Sequence, residues 1–384
     1  MLALRLARGT RPLVLLRRLL VAAASAGVGF LLLCTLGYAV AHPEHPTANV
    51  LRLAWCLIPL AATVHLAVAV ARTDPATRPR PGLSAVGLGP ARLTVLAAVS
   101  TAISATLGSA VALLFYLHLR GDITGLPFDG AGADLLAADR PLPLAAALTL
   151  LAVLPVAASA AAALALRPRR AVPGDEADPD RPEAPPAAPT GLPWGVALLA
   201  AGLAVETYAA RGASGGFPLP GRFDGNPAGV LAGWTLTALG LAMAGPSVTH
   251  LCGRLLQTLR PGATRLLAGR VLMDEAQRVG RPLGVVCAVA SGALAVSATY
   301  SGPSLGPLTA LGATLVVACT SATLLTAALE AKQSRAGTTA ALLRLGAAPT
   351  LLRSAAALRA TALIAVFAPL TWAVAEIAAT PLRG

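Results

Sequence analysis

Charge is scarce in this 384-residue chain: Asp, Glu, Lys and Arg make up 12% of it, against 56% hydrophobic residues. That balance excludes a soluble protein, which at this length needs a polar surface the sequence does not supply. Lysine is scarcer still. Of 30 basic residues only Lys332 is a lysine, and it follows "LLTAALEA" rather than a glycine-rich phosphate loop. ATP hydrolysis by this chain itself is thereby excluded. Cysteine is limited to Cys34, Cys56, Cys252, Cys287 and Cys319, in or beside apolar runs and without C-x-x-C spacing. Packing, not metal or redox chemistry, is their expected role. No G-x-S-x-G or H-E-x-x-H pattern occurs, so no catalytic, cofactor-binding or metal residue is expected and the chain is not expected to be an enzyme. The nearest approach to a ligand set is His42, Glu44 and His45 in "HPEHP"; its two prolines make it read as a polar turn between spans.

What is present is long apolar sequence. Mean hydropathy is +0.71, and runs of about 20 apolar residues recur along the chain. They predict an all-α polytopic membrane bundle of about nine spanning helices, at 18–41, 51–71, 93–118, 143–166, 193–210, 228–251, 283–301, 307–329 and 356–379. The basic N-terminus, followed by an apolar stretch reaching Ala41, is long enough for an uncleaved first span rather than a signal peptide.

Arginine placement orients these spans. With the N-terminus in the cytoplasm, the inner segments 1–18, 72–92, 167–192, 252–282 and 330–359 carry 5, 4, 4, 6 and 5 basic residues, 24 of the 30. That bias follows the positive-inside rule, so the net charge of +13 speaks for a multi-pass protein of the plasma membrane and not for nucleic acid. Acids gather outside: Asp122, Asp129, Asp134 and Asp139 lie between the third and fourth spans. The inner segment 167–192 is rich in proline and acid and is expected to be a disordered linker. It separates a first unit, 1–166, from two connecting spans, 193–251, and a second unit, 252–384.

Two inner segments share a motif. "LLRLGAAPTLLRS" begins at Leu342, and "LSAVGLGPARLTV" begins at Leu83. One offset lays Leu83, Gly87 and Pro90 on Leu342, Gly346 and Pro349, and superposes the first three spans on the last three. A tandem duplication with both copies in one orientation is expected. In the second copy Leu342, Leu343 and Leu345 give a short helix an apolar stripe, Gly346 permits a left-handed cap, and Pro349 opens the next helix. The segment either anchors the loop to the lipid surface or offers a handle to a cytoplasmic protein.

The stretch "EAKQSRAGTTAALLRLGAAPTLLRSAAALRATALIAVF" at 330–367 resembles the end of the FtsX-like permease family, the membrane subunits of MacB-type ABC transporters. Glu330, Lys332, Arg335, Leu343, Arg344, Leu345, Gly346 and Ala347 hold the matching places. "RPRPGLSAVGLGPARLTVLAAVSTAISATLGSAVALL" at 78–114 is a second match. The N-terminal "LALRLARGTRPLVLLRRLL" and "LLAGRVLMDEAQRVGRPL" at 266–283 resemble the amphipathic helices that lead into each unit. The resemblance implies a homodimer or heterodimer that binds two copies of a separate ATP-binding cassette ATPase on the cytoplasmic side. The coupling elements would be 72–92 and 330–354, with Leu83, Gly87, Pro90, Arg92, Glu330, Lys332, Arg335, Leu343, Arg344, Gly346 and Pro349 as contact residues. The chain departs from the family in lacking a large extracytoplasmic domain after the first span of either unit. It also lacks the last helix of the second unit, which puts the C-terminus outside.

Two alternatives accompany this expectation. One is a regulatory or scaffold protein that keeps the permease fold without transport. The other is a secondary carrier, which needs ionisable residues inside the membrane. His65, deep in the second span, is expected to face the bundle interior, and Glu376 to make an interior contact. Glu206, Arg52 and Arg359 are expected to snorkel from span ends.

Overall fold

In the computed structural model the described residues are 12–74, 90–123, 130–133, 136–167, 188–211, 228–258, 262–299 and 306–379. Among them the regular structure is helical: α1 (Pro12–Ala41), α2 (Pro46–Thr73), α3 (Pro90–Arg120), α4 (Leu144–Ala165), α5 (Leu192–Arg211) and α6 (Ala228–Thr258) come first. α7 (Ala263–Asp274), α8 (Ala276–Thr299), α9 (Pro307–Ser334), α10 (Ala336–Arg344) and α11 (Pro349–Ala379) follow. Five of these helices open on proline, whose fixed φ suits the first turn and whose missing N–H is not needed there. Most of the expected linker at 167–192, together with Leu83 and Gly87, lies outside the described residues.

Among the described residues eight helices are long and apolar enough to cross a membrane: α1, α2, α3, α4, α5, α8, α9 (taken together with α10 as one 38-residue stretch) and α11. The chain is a multi-pass helical membrane protein. The ninth expected span, 228–251, falls in α6, which is not among these eight; its 31 residues pack along α5 and α8. The other expected spans each fall on one helix, with 143–166 one residue longer than α4 at each end and positions 300–301 of 283–301 outside the described residues. An offset of 259 residues (349 less 90) carries Pro90–Arg120 onto Pro349–Ala379, the bounds of α11, and brings α2 to within two residues of α9.

The chain forms two compact units. The first holds α1–α4 and α9 up to Thr323; the second holds α5–α8, the rest of α9, α10 and α11. In the first, α1 is the central helix. Val28, Leu31, Leu32 and Leu33 are buried on it, and Leu308, Leu311 and Leu315 of α9 pack against the first three. α1 crosses α3 at small residues, where Ser25 Oγ donates to the carbonyl of Ala105 at 2.7 Å. Ser109 Oγ on α3 donates to the Leu151 carbonyl on α4 at 3.1 Å. Hydroxyls thus tie helix to helix where lipid offers no competing partner. Below them Arg18 on α1 meets Asp74, the residue capping α2, at 2.7 Å.

In the second unit α6 packs against α5, α7 and α8, while α11 packs on α8 and α7. Leu203 of α5 joins Ala295, Ala378 and Ala379 in a small apolar cluster.

Three polar side chains sit elsewhere than expected. His65 is exposed on α2. The buried stripe of that helix runs through Cys56, Pro59, Thr63, Leu66, Ala67 and Val70, and position 65 is off this helical period. Glu206, expected to snorkel, is fully buried. Arg52 does not simply reach for water either: its guanidinium lies 3.6 Å over the Tyr38 ring, a cation–π contact.

Candidate coupling elbow

The last turns of α9 carry Glu330, half-buried, and Lys332, exposed. Arg335, with φ −84° and ψ −8°, then joins α9 to α10 with almost no interruption. Its N–H still reaches the Ala331 carbonyl at 3.4 Å, and its own carbonyl accepts from Thr339 at 2.8 Å. The link is therefore a bend and not a loop.

α10 has nine residues, and none of them is buried. Its apolar residues are bare: Leu343 is 44% exposed and Leu345, the residue that caps it, 84%. Arg344 is exposed between them. The helix ends as the sequence leads one to expect. Gly346 has φ +90°, where any side chain costs about 1 kcal/mol or more. Its N–H donates to the Leu343 carbonyl at 3.1 Å, and that of Ala347 to the Leu342 carbonyl at 3.0 Å. These two bonds make a Schellman cap. Pro349 opens α11 two residues later. Leu343, Arg344, Gly346 and Pro349 are thus gathered in one hydrogen-bonded elbow between two long apolar helices.

A charge cluster anchors that elbow. Arg335 Nη1 donates to Glu275 Oε2 at 3.1 Å, with the side chains 28% and 13% exposed. Glu275 stands at the junction of α7 and α8; its N–H closes α7 on the carbonyls of Val271 and Met273. Burial pushes its carboxyl up from the ordinary glutamate value, while Arg335 first, then Arg359 and Arg278, pull it down. Glu275 Oε1 and Arg359 Nη1 are both buried without a hydrogen-bond partner. Arg359 comes from α11, so one carboxylate serves the α7–α8 junction, the elbow and α11. Displacing α10 would load all three.

Of the corresponding segment in the first unit, Pro90 opens α3 and Arg92 is exposed in its first turn. The sequence points to Arg335 as part of the elbow, whereas Glu275 lies within the stretch 266–283 that resembles an amphipathic lead-in. The acid between two helices was its one local signal.

No family model, curated protein or solved structure matches this chain. What it does must therefore be read from the elbow's own geometry and from the motif residues that form it.

Proposed function

We propose that the chain is the permease-like membrane subunit of an ABC transporter complex and has no nucleotide site of its own. A separate ATPase seats against α10 on the cytoplasmic side. Closure of that ATPase moves α10, and the Arg335–Glu275 pair passes the movement to α8 and α11. The observation that carries this reading is that no residue of α10 is buried and seven of the nine are exposed, although both helix ends are fixed. A nine-residue helix with only Thr339 and Leu342 half-covered has a surface to offer, and its stiff ends convert a push into motion of the spans instead of dissipating it.

On this reading α6 is a ninth span, which makes the N-terminus cytoplasmic and the C-terminus outside, and the membrane is the plasma membrane. The subunit pairs with a second copy or a related chain. Transport passes through spans without the aid of a large outer domain.

Arg344→Glu tests the docking. It reverses an exposed charge at the C-terminal end of α10, so insertion and thermal stability are expected to be unchanged. Co-purification with the ATPase should fall about tenfold or more, the loss of about 1.4 kcal/mol or more that a rim charge reversal gives. Undiminished association of the variant would exclude α10 as the seat.

A further inference from the structure

The second unit holds a buried carboxyl that the elbow does not use. Glu206 on α5 is 0% exposed. Trp234 Nε1 on α6 donates to its Oε1. Its Oε2 is buried without a hydrogen-bond partner, and so is Thr237 Oγ1, three residues beyond Trp234. The two helix backbones touch here. A Cβ on Gly202 would stand 2.5 Å from the Thr237 nitrogen and 2.7 Å from the Gly233 oxygen; one on Gly233 would stand 2.8 Å from the Glu206 nitrogen. Backbones this close leave room at the carboxyl for a proton, but not for a metal ion or an organic substrate.

Among the described side chains, few charged groups stand near Glu206. Along α6 the first titratable side chain is His250, 16 residues past Trp234 (250 less 234), or about 24 Å along the helix. On α11 the charged residues are Arg353, Arg359 and Glu376, and Glu376 shares the end that packs on Leu203. On α8 the titratable residues are Arg278, Arg281 and Cys287, all preceding Ala295, its contact in the same cluster. α5 itself adds Tyr208, 84% exposed, and ends on Arg211, five residues past Glu206. Among the described residues no basic group forms an ion pair with Glu206.

An ionised carboxylate so placed would have one neutral donor and, among the described side chains, no counter-ion, at a cost of several kcal/mol. A neutral acid has an O–H to donate, in a place where the Thr237 hydroxyl stands unpaired. We propose that Glu206 is a proton-binding site that reports and controls the α5–α6 contact. The carboxyl carries a proton while the helices are closed. It passes that proton to water when their ends part and water reaches the resulting carboxylate. Proton occupancy and helix closure are then linked in both directions. This inference stands whether or not α10 receives an ATPase.

The test uses the full chain in phospholipid vesicles, with Trp55, Trp194 and Trp372 replaced by Phe so that Trp234 is the sole indole emitter. Emission of Trp234 is expected to shift to the red in one step as pH rises, because its acceptor ionises and the contact admits water. Glu206→Gln, which keeps the acceptor oxygen but cannot ionise, should abolish the step. If that variant fails to insert, the parent chain still decides. Its protonated-carboxyl infrared band should disappear over the same pH interval as the Trp234 shift. An emission indifferent to pH, a step that survives in Glu206→Gln, or a band and shift that do not coincide would each overturn the proposal.

Discussion

Gly108→Val is expected to unseat α1 from α3 and to lower the stability of the chain by about 3 kcal/mol, at the upper end of what overpacking costs. An ideal Cβ at position 108 would lie 2.2 Å from the Ala22 oxygen and 2.6 Å from the Ser25 Cβ. The nearer obstacle is backbone and cannot rotate aside. Relief requires the helices to separate, which also breaks the Ser25–Ala105 hydrogen bond. Thermal unfolding of the detergent-solubilised chain measures this loss. Gly292→Ala is the control: nothing lies within 4 Å of a Cβ there, so that variant should unfold no earlier than the parent.

The second large effect concerns the anchor of the elbow. Glu275→Ala is expected to cost about 2–3 kcal/mol, because it leaves the Arg335 guanidinium part-buried without its acceptor and facing the positive field of Arg359. Arg335→Ala should cost about 1 kcal/mol, since Arg359 and Arg278 still act on the carboxylate that remains. The double variant should fall short of the sum by about 1 kcal/mol, which is the coupling of the pair. Strict additivity would mean that the two groups do not hold the elbow to the α7–α8 junction. Both side chains are under one-third exposed, so solvent screening does not erase these values as it would for a surface pair.

How far the sequence could be read depended on how local each cause was. Gly346 and Pro349 were legible because a positive φ and the start of a helix are demands on single residues. The Schellman bonds then follow from chain geometry. Helix lengths were legible because an apolar run must be long enough to cross lipid. Facing was not. In α2 the exposed side is as apolar as the buried side, for Leu57 and Ile58 are exposed while Leu66 and Val70 are buried. With no polar face to mark the outside, the inward position expected for His65 had only its depth to rest on. Glu206 shows the converse: closeness to a span end suggested snorkelling, but an indole from the next helix and two glycines hold it inside. Glu275 was missed because its partner Arg335 lies 60 residues along the chain, beyond any periodicity.

The account stands on α10 being a seat for protein and not a float on lipid. The direct measurement is a photo-crosslinking residue in place of Leu345, which is 84% exposed. Illumination in native membranes should yield an adduct with an ATP-binding cassette protein, and Arg344→Glu in the same chain should remove it. Adducts with phospholipid alone, unchanged by Arg344→Glu, would show that α10 only anchors its loop to the membrane surface, and the coupling reading would fail.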